Sequence, residues 1–188
     1  MALDKIKMHR KLKNNELGRI SEQQYKEAKK LNITVVLDNV RSQHNIGAAF
    51  RTADSFFIEK IVLCGICATP PTAEIHKSAL GAEFSVDWEY FKETTDAVAV
   101  LKEQGYTIIS IEQAVDSIKL NNVKDELLEG GNGKYTLIFG NEVKGVQQEV
   151  VDMSDNVIEI PQFGTKHSLN ISVSLGVVLW EFCKFFKL

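Results

Sequence analysis

The chain has 188 residues, 44% of them apolar, and a formal charge of −3, enough for one domain that builds its own core without staples. The first residues are charged and no apolar run is long enough to cross a bilayer, so neither a signal peptide nor a membrane span is expected and the protein is expected to be cytoplasmic. Three cysteines, Cys64, Cys67 and Cys183, are too few and too odd in number for a disulfide framework. Cys64-Gly-Ile-Cys67 lacks the second pair a structural zinc site wants, so packing at a strand end is favoured over metal or redox chemistry.

The charge is unevenly spread. Residues 1–31 carry nine basic and four acidic residues, net +5, against 13 and 21 in the remainder, net −8. A basic arm on an acidic body suits a polyanion, and it also suits a solvated surface helix. Residues 4–19 read as flexible or marginally helical. Ser21 and Gln24 form a capping box for a helix that runs to about Leu31. Ile33–Leu37 is a β-branched run and a buried strand. Residues 45–57 place Ile46, Ala49, Phe50, Ala53 and Phe57 at helical spacing. Strands follow at 60–64, 84–91, 106–111, 135–139 and 157–160, with helices at 73–80, from Thr94 or Thr95 to 104, at 146–153 and from Ser168 to about 186; residues 121–134 are a loop, with or without a helical turn. Strands and helices alternate, which implies α/β architecture: a parallel six-stranded sheet with helices on both faces. Ligands of such sheets bind at the carboxyl ends of the strands. That rule selects the loops after Leu37, Ile111, Phe139 and Ile160.

Three polar clusters occupy those loops. In the first, Asn45 opens a helix and Arg51 lies nearly two turns on, read as the same side; the pair suits a phosphate or ribose, or Arg51 forms a surface ion pair. In the second, Gly140-Asn-Glu142…Gly145, Gly140 permits close approach at a strand end, and Glu142 is either a site carboxylate or a helix-capping acid. In the third, Pro161 ends a strand, Gly164 permits a turn, and Ser168 and Asn170 are site residues or ordinary caps, with Ser168 as N-cap. His167 either faces a ligand or is simply exposed. The four histidines share no metal-like spacing. Phosphate-loop, dinucleotide and hydrolase-elbow signatures are absent, which weighs against a triphosphatase, a dehydrogenase and a serine hydrolase.

Taken together and in this order, Asn45…Arg51, Gly140-Asn-Glu142…Gly145 and Ile160-Pro…Gly164…Ser168-Leu-Asn170 resemble the three motifs of the SpoU/TrmH family of RNA ribose 2′-O-methyltransferases, in the SPOUT superfamily. The resemblance spans about residues 33–182. It implies a C-terminal deep trefoil knot, S-adenosylmethionine as cofactor, an RNA substrate, a homodimer, and no metal or membrane partner. It divides the chain into a basic arm and helix, 1–31, and a methyltransferase domain, 32–188. By the same resemblance Arg51 activates the 2′-hydroxyl, as a base or by stabilising its alkoxide, Asn45 holds the RNA phosphate or Arg51, and Glu142, Ser168 and Asn170 orient Arg51 and the substrate. The backbone near Gly140, Ile160 and Leu169 holds the cofactor, with Ile111 as apolar wall. Gln162 stands where many members carry Met, changing one wall. The short arm, with Lys5, Lys7, Arg10, Lys11 and Lys13 and no separate N-terminal RNA-binding domain, favours tRNA over rRNA. A non-catalytic RNA-binding relative is the alternative. The final helix, apolar almost all round, is either wholly internal or shared between the sheet and a second copy.

Overall fold

A computed structural model describes residues 9–187; Lys5 and Lys7 of the arm lie outside the described residues. Ser21 caps α1 (Glu22–Glu27) through the reciprocal bonds of a capping box, Gln24 N–H to Ser21 Oγ (3.2 Å) and Ser21 N–H to Gln24 Oε1 (2.8 Å). The helix stops short of the expected Leu31. Ala28 turns extended, and Leu31 is taken by the sheet, its N–H donating to the Phe57 carbonyl (2.9 Å).

The sheet holds β1 (Leu31–Asp38), β2 (Ile58–Cys64), β3 (Asp87–Phe91), β4 (Thr107–Ile111), β5 (Ile118–Lys119), β6 (Tyr135–Phe139) and β7 (Asn156–Glu159) in the order β3-β2-β1-β6-β4-β7-β5. All named pairings are parallel. Among the described residues there are seven strands where six were expected. The addition, β5, is two residues long, too short for any hydrophobic period to register, and it exists because Ile118 and Lys119 pair with Ile158 and Glu159. Residues 84–86 also depart from expectation. Leu80 (φ +53) and Gly81 (φ +95) end one helix and restart another, so Ala82–Ser85 is helical and β3 begins at Asp87.

Strand side chains alternate between two cores, as the pleat requires. Ile33, Val35, Leu37, Leu137 and Phe139 face one core together with α2 (Gln43–Ser55), α3 (Ala73–Ala79), α4 (Ala82–Ser85) and α7 (Ile171–Lys187); Val36, Val62, Ile108 and Ile138 face the other with α5 (Thr94–Glu103) and α6 (Gln148–Met153). The register aligns the carboxyl ends: Leu37 and Ile111 both pair with Phe139, and Ile111 pairs with Ile158. The loops that follow these residues therefore emerge side by side. Among the described residues, no helix is long and apolar enough to cross a membrane.

Candidate functional site

The loops after β4, β6 and β7 enclose a cavity of about 1060 Å³. Its lining includes Ile111, Gly140, Glu142, Ile160, Ser168, Leu169 and Asn170, seven of the nine residues singled out in the sequence. The other two sit on α2. Asn45 is buried and joins the site through its amide, Nδ2 donating to Glu142 Oε1 (3.1 Å). Arg51 is exposed and does not line the cavity of its own chain. The expectation that Asn45 and Arg51 share a side fails on helix geometry: six residues advance the helix to about 120° away, so Asn45 faces inward when Arg51 faces out. Nor does Asn45 open α2. Ser42 caps it, its Oγ accepting from Asn45 N–H (3.2 Å).

Glu142 combines both roles offered by the sequence. Its carboxylate accepts from the N–H groups of Arg41 (3.0 Å) and Ser42 (3.0 Å) and from Asn45, so it sits at the N-terminus of α2 while lining the cavity. Burial alone would raise the Glu142 carboxyl; hydrogen bonds, led by the Arg41 N–H, outweigh it and hold the group below the usual carboxylate range.

The Gly140 loop folds back on itself. Asn141 and Gly145 exchange backbone bonds (both 2.9 Å), and Asn141 Oδ1 accepts from the N–H groups of Val143 (3.0 Å) and Lys144 (3.2 Å). A Cβ at Gly140 would land on the Gly145 carbonyl carbon and the Val146 nitrogen. The close approach that needs glycine is thus the return of its own loop. Gly164 is different: its φ is not left-handed and a Cβ there would meet nothing, so the turn does not depend on glycine. Ser168 does not cap the last helix. Asn170 does, its Oδ1 accepting from Ser172 N–H (2.8 Å) and Ser172 Oγ (2.7 Å), and α7 starts at Ile171.

Across 161–169, among the described residues, the one hydrogen-bonded backbone group is the His167 carbonyl, which accepts from Gln113 Nε2 (2.7 Å). His167 itself is exposed and lines the cavity. Glu112, Glu142 and Glu159 stand in the lining against Lys144, an acidic balance. Lys119 and Ser117 hold Glu159 below the usual carboxylate range. Unpaired loop amides and carbonyls, apolar Ile111 and Leu169, and acidic walls together suit a mid-sized polar cation.

Several residues of this architecture carried no motif signal: Asp38, Asn39, Glu112 and Gln113, single polar residues at the ends of β1 and β4, and Gln147 at the start of α6, each with a partner far away in sequence. The cysteines take the packing role. Cys67 Sγ donates to the Leu37 carbonyl and accepts from Val40 N–H (both 3.2 Å), and burial pushes Cys64 up to about 12 and Cys67 up to about 11. Among the described residues, no group of three His, Cys, Asp or Glu could hold a metal ion.

Residues 32–180 match the model of the SpoU rRNA Methylase family. A tRNA (guanosine(18)-2′-O)-methyltransferase of Aquifex aeolicus is 28% identical, over 96% of this chain and 79% of the relative. A 23S rRNA (guanosine-2′-O-)-methyltransferase of Neisseria meningitidis is 29% identical over 79% of this chain, which spans 57% of that relative's length. The AdoMet-bound rRNA methyltransferase of Sinorhizobium meliloti superposes with a TM-score of 0.75 over 86% of this chain and 60% of its own, at 23% identity, a likeness of fold.

Proposed function

Since the chain belongs to the SpoU rRNA Methylase family, we propose that it transfers a methyl group from S-adenosylmethionine to a ribose 2′-hydroxyl of structured RNA in the cytoplasm, tRNA ahead of rRNA. The observation that carries this reading is the cavity after β4, β6 and β7, joined to the first motif by the Asn45–Glu142 bond. Its residues fit the cofactor: unpaired backbone near Ile160 and Leu169 for polar groups, Ile111 for an apolar face, and the Glu112 and Glu142 carboxylates, which no cation pairs among the described residues, for a positive charge. When bound there, S-adenosylmethionine supplies an electrophilic methyl on a sulfonium.

The chain's own residues supply position and charge. Arg51 is a permanent cation, suited to stabilising the alkoxide that develops on the 2′-oxygen rather than to taking its proton. Glu142 fixes Asn45 and the entrance of α2. Ser168 and Asn170 line the cavity and orient the ribose. Arg51, outside the lining of its own chain's cavity, serves that of a second copy. The surface it needs exists: Val173, Val177 and Trp180 form an exposed stripe on α7, and Trp180 meets Phe56, at the end of α2, edge-on at 6.3 Å. A homodimer through α2 and α7 covers this stripe. The sheet order, with β6 inserted between β1 and β4 and β7 between β4 and β5, supports a C-terminal trefoil knot in residues 32–188. Residues 1–31 are the RNA-binding arm; Arg10 is paired with Glu16 (2.8 Å), and the exposed Lys11 and Lys13 face phosphates.

The test is transfer of label from methyl-tritiated S-adenosylmethionine to total RNA, followed by nucleoside analysis. Label in a 2′-O-methylnucleoside is expected. Label on a base overturns the reaction assigned, and cofactor binding without any label makes the protein a non-catalytic RNA binder.

A further inference from the structure

The loop 140–147 leaves β6, the strand between β1 and β4, and carboxylates from both flanks hold its last two amides. Val146 N–H donates to Glu112 Oε2 (3.0 Å) beyond β4, and Gln147 N–H donates to Asp38 Oδ2 (2.8 Å) at the end of β1. Asp38 is fully buried and lies outside the cavity lining. Its Oδ1 also accepts from Gln147 Nε2 (2.8 Å), Thr94 Oγ1 (2.6 Å) and Asn39 Nδ2 (2.9 Å). All four donors are neutral and come from three segments of the chain. A buried carboxylate tolerates this environment only while every donor stays in place. The next residue holds the other end of the loop: the Asn39 carbonyl accepts from Asn141 Nδ2 (2.7 Å). Asp38-Asn39 thus grips the loop at Asn141 and at Gln147. Between those grips Glu142 reaches back to Arg41, Ser42 and Asn45, in the segment that follows Asp38.

We propose that Asp38 is a positioning residue for methyl transfer. It touches neither cofactor nor RNA. It sets where the 140–147 loop stands, and through that loop the cavity wall and the Glu142–Asn45 contact. This rests on the methyltransferase reading above. In Asp38→Asn an NH₂ replaces one acceptor oxygen. The Thr94 hydroxyl and the Gln147 amide can turn to suit it, but the Gln147 backbone N–H and Asn39 Nδ2 cannot both keep an acceptor, so one of the two holds on the loop, directly at Gln147 or through Asn39 at Asn141, is loosened.

The experiment compares full-length wild type with Asp38→Asn, Gln147→Ala and the double variant Asp38→Asn/Gln147→Glu, which restores one carboxylate and one amide in exchanged places. Calorimetry reads S-adenosylmethionine affinity, steady-state methylation reads kcat and KM, and amide exchange reads residues 140–148 without cofactor. In folded Asp38→Asn, affinity falls about tenfold, kcat falls on the order of 100-fold through Glu142 displacement, and exchange at 146–147 quickens while β6 stays protected. Gln147→Ala, which keeps the backbone bond, loses about threefold in affinity and decides the matter should Asp38→Asn not fold. The double variant recovers most of the affinity. Variants that match an active wild type in affinity, kcat and exchange overturn the proposal alone. A wild type that binds no S-adenosylmethionine overturns the methyltransferase reading and this proposal with it.

Discussion

Replacing Glu142 with Gln keeps its shape but removes its charge and turns one of its two acceptor oxygens into an NH₂, so it tests what the carboxylate does for the entrance of α2. Three donors point at it: the Arg41 and Ser42 N–H groups at 3.0 Å each and Asn45 Nδ2 at 3.1 Å. Hydrogen bonds to an ionised acceptor are roughly twice as strong as neutral ones, a difference of about 1 kcal/mol per bond when dry. Glu142 is exposed to water, so a donor left facing the NH₂ turns to solvent and the sum over the three bonds comes down to about 1–2 kcal/mol. For a chain of this size that lowers Tm by about 3–6 °C. The pH dependence has a fixed sign. The folded carboxyl titrates below the ordinary range because its hydrogen bonds, led by Arg41 N–H, outweigh burial, so between the two pKa values the unfolded chain binds more protons than the folded one. The wild-type advantage over Glu142→Gln is then complete above the unfolded pKa of about 4.3 and disappears as pH falls through the folded value. Urea unfolding of both proteins from pH 7 down to pH 3 measures it. A gap that is flat above about pH 5 and closes in acid is expected; equal stability at pH 7, or a gap of the same size at pH 3, would refute the assignment.

Arg51→Ala is expected to lower methylation by roughly 10²–10³-fold, the scale for losing one donor to a developing oxyanion, while S-adenosylmethionine affinity by calorimetry stays within about twofold; unchanged turnover refutes the role. Gly140→Ala drives a methyl into the Gly145–Val146 backbone, which cannot rotate away. It should cost about 1–3 kcal/mol in thermal or denaturant unfolding, and an unchanged Tm would show that the loop does not close on itself. Cys64 and Cys67, pushed up to about 12 and about 11 by burial, should resist a thiol-disulfide reagent at pH 8 in the native protein and react once it is unfolded; rapid labelling of either in the native state contradicts their packing role.

Much of the fold was legible because parallel strands buried on both faces read as apolar runs such as Ile33–Leu37 and Tyr135–Phe139, with helices between them. The rule that ligands sit at carboxyl strand ends then collected Ile111, Gly140 and Ile160 around one cavity. What escaped was decided by contacts distant in sequence. β5 is a strand only because β7 lies beside it. Ser168 and Asn170 are both good caps, and the path of the 161–169 loop, not propensity, gave the role to Asn170. Asp38 and Glu112 are lone acids at strand ends with no spacing to mark them; the donors of Asp38 at Gln147 lie 109 residues away. Arg51 was read on the wrong side because six residues were rounded to two turns.

The most direct measurement is a co-crystal structure with S-adenosylmethionine. The cofactor is expected between the backbones of Gly140, Ile160 and Leu169, with Arg51 of a second copy within hydrogen-bonding range of the space beside its methyl group. Cofactor bound elsewhere on the chain, or Arg51 distant from that methyl in both subunits, would contradict it.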